Sequence, residues 1–132
     1  MANDLNIDQR NEKKLLVIDD DVSILETLDF ILSDNGYHVL LASDGDEGLS
    51  IIQSQWIDGI ILDLRMPKTS GYFLANIIPQ ESLNPDTKVL LLSAEALMIG
   101  EFKLAVPNII GKMTKPFDVS ELKKQVQLLL ND

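Results

Sequence analysis

Short, unbroken apolar runs that stop at a polar residue recur along this chain, and they leave few folds open. Leu15-Leu16-Val17-Ile18 runs into Asp19-Asp20-Asp21, Gly59-Ile60-Ile61-Leu62 into Asp63, and Val89-Leu90-Leu91-Leu92 into Ser93, while Ile109-Ile110 is followed shortly by Lys115-Pro116. The first run, Lys14–Asp19, is too short for a helix and rich enough in branched residues to read as a strand buried on both faces. After the first run, Ile24, Leu25, Leu28, Ile31 and Leu32 recur at helical spacing, with Asp20 and Asp21 suited to a helix start and Asn35-Gly36 to its stop. Strands and helices alternating in this way specify an α/β fold whose parallel sheet is covered on both faces.

Five such units fit the chain. Predicted strands cover Lys14–Asp19, Tyr37–Ala42, Ile57–Leu62, Thr87–Ser93 and Asn108–Lys112. A second helix is predicted over Asp44–Gln55 with Leu49, Ile51 and Ile52 inward, and a third after Gly71 to about Ile78, with Pro79 and Pro85 bracketing its exit. A fourth is expected over Glu95–Ala105, and a fifth over Asp118–Leu130 with Val119, Leu122, Val126, Leu129 and Leu130 on its buried side. Residues 1–13 read as a polar, flexible leader and 14–132 as one domain. Right-handed crossovers leave few arrangements, and the expected one is a three-layer α/β/α sandwich, flavodoxin-like and doubly wound, with strand order 2-1-3-4-5. That order makes the ends of the first and third strands meet at a topological switch point.

Because the carboxyl ends of parallel strands share one edge, the polar residues that close the apolar runs converge on one crevice. It would hold acids, a hydroxyl and an ammonium, the parts of a magnesium-dependent phosphoryl-transfer site. Asp63 is the expected nucleophile, since a carboxylate can attack phosphorus and form an acyl phosphate once repulsion between the two anions is cancelled. Magnesium ion takes one or two carboxylates and completes an octahedral shell with other oxygens, which gives Asp20 and Asp63 the role of direct ligands and Asp19 a role through water. Lys115 can pair with a phosphoryl oxygen as a point charge, and Ser93 can hydrogen-bond another. Asp21 reads as a helix N-cap or first-turn acid instead of a ligand, and His38 as an ordinary strand residue.

Composition narrows the setting. The chain is 45% hydrophobic and 24% charged, and no apolar run approaches the roughly 20 residues of a membrane span, so a cytoplasmic protein without membrane contact is expected. It has no cysteine, which excludes disulfides and thiolate metal sites. Its net charge of -10 argues against direct nucleic-acid binding, since phosphates would be repelled.

From about Lys14 to Leu130 the sequence resembles the receiver domain of two-component response regulators. The resemblance rests on Val17-Ile18-Asp19-Asp20-Asp21, on Asp63-Leu64-Arg65-Met66-Pro67 with Gly71 following, on Leu92-Ser93-Ala94 and on Lys115-Pro116-Phe117. It implies Asp63 as phosphoacceptor, Asp19 and Asp20 as the acidic pair, Ser93 as the switch hydroxyl and Lys115 as the phosphate-sensing lysine. It further implies a magnesium ligand in the main-chain carbonyl of Arg65 and a cis Lys115–Pro116 bond. A histidine kinase or phosphotransfer protein would be the phosphodonor. A downstream protein or output domain would read the face of the fourth helix, fifth strand and fifth helix, with a phosphorylation-linked homodimer as a further expectation. The chain is then either a stand-alone regulator or a receiver cut from a larger regulator or hybrid kinase.

Three departures stand out. Lys112 occupies the position three residues before the lysine where receivers carry tyrosine or phenylalanine, so no aromatic ring can report phosphorylation there. Lys68-Thr69-Ser70-Gly71 replaces the frequent Gly-Met-Asp-Gly, and Leu97, Met98, Ile99, Phe102, Leu104 and Val106 make the fourth-helix region unusually apolar. Lys112 and the apolar fourth-helix region favour an alternative, a degenerate receiver serving only as an interaction module, against which the five intact site residues speak. Asp19-Asp20-Asp21 is also similar to the Asp-x-Asp of haloacid-dehalogenase-type phosphohydrolases, with Asp19 as nucleophile and Asp21 as general acid. That assignment leaves Asp63 without a role and offers only Asp118 where a later strand-end acid is needed.

Overall fold

Alternation within the apolar runs sorts their side chains to the two faces of one sheet. The computed structural model describes residues 13–94 and 108–130. In chain order they form β1 (Lys14–Ile18), α1 (Val22–Asp34), β2 (His38–Ala42), α2 (Gly45–Ser54), β3 (Gly59–Asp63), α3 (Gly71–Glu81), β4 (Lys88–Ser93), β5 (Ile109–Thr114) and α4 (Val119–Leu130). The five strands pair in parallel in the order β2-β1-β3-β4-β5, as the switch-point expectation required. The predicted helix over Glu95–Ala105 lies outside the described residues.

Leu16, Ile18, Ile60, Leu62, Val89 and Leu91 bury one face of the sheet with Ile52 of α2 and Leu74 and Ile78 of α3. Leu15, Val17, Ile61, Leu90 and Leu92 bury the other with Leu28 and Leu32 of α1 and Leu122 and Val126 of α4. A strand sandwiched in this way loses its solvent-facing polar residues, which is why the runs are unbroken. Burying each such side chain contributes roughly 1.5–3 kcal/mol, so the two half-cores hold the strand ends in register.

The structure corrects several boundaries. Pro79 lies inside α3, which continues to Glu81 where the sequence suggested an exit near Ile78. The proline removes only the bond its own N–H would give Ala75, and the helix closes on Ile78, whose carbonyl accepts from both Ser82 N and Ser82 Oγ. β5 runs on to Thr114 where Lys112 was the expected end, because Met113 and Thr114 stay in register with Leu92 and Ser93. A shift of register between Val89 and Leu90 accommodates the longer strand. Val119 is 43% exposed, so the buried face of α4 begins a turn later, at Leu122. Ile57 and Asp58 precede β3, which ends on Asp63 itself.

Helix ends follow local chemistry. Asp44 Oδ1 accepts from Glu47 N at 2.8 Å, and Glu47 Oε1 accepts from Ser43 N at 2.9 Å, so the two acids close the start of α2 reciprocally. Asn35 closes α1, and Gly36 follows at φ 95°, a conformation that glycine adopts without penalty.

Candidate functional site

Asp19, one residue past β1, donates its backbone N–H to Ala42 O at 3.1 Å, which extends the ladder to the sheet edge. Asp63 is the last residue of β3, the strand flanked by β1 and β4, and Ser93 is the last of β4. Lys115 follows β5, and its backbone N–H donates to Ser93 O at 2.9 Å. The predicted residues therefore meet at one edge.

Asp19 and Asp63 are 1% and 4% exposed, and each carboxylate is pinned by the amide two residues on: Asp21 N to Asp19 Oδ1 at 2.9 Å, Arg65 N to Asp63 Oδ1 at 3.3 Å. Their other oxygens face Lys115, whose Nζ lies 2.8 Å from Asp19 Oδ2 and 3.6 Å from Asp63 Oδ2. Burial, and next the charge of Asp19, push the Asp63 carboxyl up to about 6, against smaller lowering effects from the Arg65 amide and Lys115. Burial works against the Lys115 ammonium, but the contact with Asp19, reinforced by Asp63, outweighs it and holds the group above its ordinary 10.5. The Lys115–Pro116 bond is cis.

One oxygen from each of Asp19, Asp20 and Asp63 can be chosen so that all three lie within 4.8 Å of one another. Asp19 Oδ2 is buried and paired with the Lys115 ammonium at 2.8 Å. Three hard oxygen donors fit a hard divalent cation such as magnesium. Asp20 is exposed and borders an open cleft of about 610 Å³, lined also by Arg65, Met66, Ser70 and Tyr72, which gives access to the cluster.

The loop after β3 is fixed from both ends. Leu64 is 2% exposed and donates its N–H to Leu92 O at 3.3 Å, and Gly71 N donates to Leu64 O at 3.1 Å. A Cβ on Gly71 would fall onto the Asp63 carbonyl oxygen and within 2.5 Å of Leu64 Cα, so only glycine fits there. Gly71→Ala is expected to cost about 2–4 kcal/mol in chemical denaturation, since backbone cannot yield as a flexible side chain does. A loss below about 0.5 kcal/mol, the ordinary surface range, would contradict this packing. The unusual Thr69 rests on the first residue of α2, where a Cβ at Gly45 would meet Thr69 Cβ at 2.5 Å. The sequence placed Gly71 and Thr69 in a loop but gave no sign of what either touches.

Asp21 is the N-cap of α1, as expected, and its carboxylate accepts from Ser23 N and Ile24 N. It is committed to the helix start, which leaves it poorly placed as the general acid of a phosphohydrolase. Asp118 likewise accepts from Ser120 N, at 3.2 Å, at the entrance to α4.

A model of the response regulator receiver domain matches residues 15–127. The chain belongs to this family. The receiver domain is 35% identical over 121 residues to the alkaline phosphatase synthesis transcriptional regulatory protein PhoP of Bacillus subtilis, covering 89% of this chain and 48% of that protein. It spans about half the length of the curated relatives it matches. Among solved structures, the chemotaxis protein CheY4 of Vibrio cholerae superposes with a TM-score of 0.83 at 32% identity, over 90% of this chain and 99% of the other. The response regulator protein TrrA of Thermotoga maritima, in complex with Mg2+-BeF, does so at 0.78 and 34% identity, over 89% and 99%. Receiver domains of this family are phosphoacceptors, and the aspartate cluster here fits a phosphoacceptor site with magnesium. Among the described residues no helix is long and apolar enough to cross a membrane.

Proposed function

We propose that this receiver domain accepts a phosphoryl group on Asp63 and reads its arrival through Ser93 and Lys115. The observation that carries the assignment is the position of Asp63 Oδ2, at a buried strand end, 3.6 Å from Lys115 Nζ and within the three-carboxylate cluster. Asp63 attacks phosphorus through a carboxylate oxygen, the bond to the donor's leaving group breaks, and the leaving group departs with its electron pair. Above pH 6 the Asp63 carboxyl is largely ionised and needs no base. Asp19, Asp20, Asp63 and the main-chain carbonyl of Arg65 would hold the magnesium ion, which supplies positive charge against the repulsion of carboxylate and phosphoryl group. Lys115 contributes a second positive charge, and the buried hydroxyl of Ser93 a hydrogen bond to a phosphoryl oxygen.

The phosphodonor under this proposal is a phosphohistidine, carried by a histidine kinase or phosphotransfer protein. The resemblance of the TrrA complex, whose solved form holds Mg2+-BeF, supports the same ligand chemistry here. Output would leave through β5, α4 and the 95–107 region to a downstream protein, an output domain or a second copy. Lys112 is exposed on β5 beside a cavity of about 250 Å³ that Phe117, Asp118 and Glu121 also line, so rotation of an aromatic ring plays no part in the relay at this position. The protein would act in the cytoplasm, without direct nucleic-acid or membrane binding.

Incubation with acetyl phosphate and magnesium chloride, followed by intact-mass measurement, is expected to give a gain of one phosphoryl group in the wild type. Asp63→Asn and chelator-treated wild type should show none. A wild-type protein that stays unmodified with both acetyl phosphate and a histidine kinase would contradict the proposal.

A further inference from the structure

Metal-binding carboxylates lose affinity when their orientation is left free, because ordering them then opposes binding. Asp19 Oδ1 is held by Asp21 N at 2.9 Å, while Oδ2 meets Lys115 Nζ at 2.8 Å and faces the cluster. The hold is as firm as the backbone of Asp21. That backbone sits at φ -88°, ψ 109°, at the junction of an extended strand and a helix. Its own side chain ties it there, since Asp21 Oδ1 accepts from Ser23 N at 2.9 Å, Ser23 Oγ at 2.8 Å and Ile24 N at 3.4 Å. A chain of hydrogen bonds thus links the first turn of α1 to a carboxylate in the candidate cation site.

We infer that Asp21 is a positioning residue for divalent-cation binding: its carboxylate locks the N-cap, and the locked N–H aims Asp19 Oδ2 into the cluster. The inference rests on the proposed role of Asp19, Asp20 and Asp63 as the cation-binding set. Asp21 touches neither cation nor phosphoryl group. Its contribution is geometric, and geometry can be separated from charge, because asparagine caps a helix as well as aspartate does while carrying no charge.

Isothermal titration calorimetry with magnesium chloride, at a temperature well below every unfolding transition, tests this on wild type, Asp21→Ala, Asp21→Asn and Asp58→Ala. The last variant removes one negative charge and one buried-end hydrogen bond, Lys14 N to Asp58 Oδ2 at 2.8 Å, at the opposite edge of the sheet. Asp21→Ala is expected to weaken magnesium binding about tenfold, the lower end of the range for outer-shell partners, while Asp21→Asn and Asp58→Ala stay within about twofold of wild type. Equal losses in Asp21→Asn and Asp21→Ala would assign the effect to charge and overturn the inference. Wild-type affinity in Asp21→Ala, or an equal loss in Asp58→Ala, would overturn it too while leaving the proposed cation site standing. A wild type that binds no magnesium would remove the proposed site and the inference together.

Discussion

Asp63→Asn is expected to make the metal-free protein more stable at neutral pH, by on the order of 2–3 kcal/mol. The Asp63 carboxyl is raised from 3.8 to about 6 in the folded chain, first by burial and then by the charge of Asp19. Between those two values the folded state holds more protons than the unfolded state. Stability therefore falls as pH rises through this window, and the cost is fully present above it. Asparagine keeps the shape and can still accept from Arg65 N, but it has no charge to bury. Urea titrations at pH 4, 5, 6 and 7.5 in chelator should give a declining stability for wild type and a flatter curve for Asp63→Asn. Magnesium should narrow the gap at pH 7.5 by stabilising wild type through binding. A metal-free Asp63→Asn protein less stable than wild type at pH 7.5 would show that the carboxylate is favourably placed, against the electrostatics described above.

Lys115→Ala carries the opposite sign and a similar size. Removing this cation leaves the carboxylates of Asp19 and Asp63, 1% and 4% exposed, facing one another without a counter-charge. Breaking a buried pair from one side costs about 3–5 kcal/mol, and the 22% exposure of Lys115 places the expected loss at the lower end of that range. The charge of Lys115 lowers the Asp63 carboxyl, so its loss should move that group further above 6. Adding Asp63→Asn to Lys115→Ala should recover more than Asp63→Asn gains in the wild-type background, since the two residues share one network. Strict additivity in the double-mutant cycle, read by denaturation in chelator, would mean that the ammonium and the Asp63 carboxylate do not interact.

The strands were legible in the sequence, with ends correct to within one or two residues, because burial on both faces removes the polar residues that otherwise blur a strand's limits. Asp19, Asp20, Asp63 and Lys115 were placed together by topology alone: once the sheet is parallel, its carboxyl ends coincide. The Asp21 cap was legible from chemistry, as a short acid ahead of a helical pattern. Pro79 was misread because a local rule was set against packing it cannot see. Ile78 is fully buried against the sheet and carries the helix past the proline. The length of β5 was missed because Lys112 and Thr114 alternate with Gly111 and Met113, a pattern that shows its wet face only once the partner strand is known. The two amide holds on Asp19 and Asp63 depend on loop backbone geometry, and residue types alone do not specify it.

Acyl phosphates are reduced by borohydride to the corresponding alcohol, which marks the acceptor permanently. Wild-type protein loaded with acetyl phosphate and magnesium, reduced and digested, is predicted to carry this mark in peptides containing Asp63, with none in Asp63→Asn. A mark confined to peptides containing Asp19, or one that persists in Asp63→Asn, would contradict the assignment of Asp63 as the phosphoacceptor.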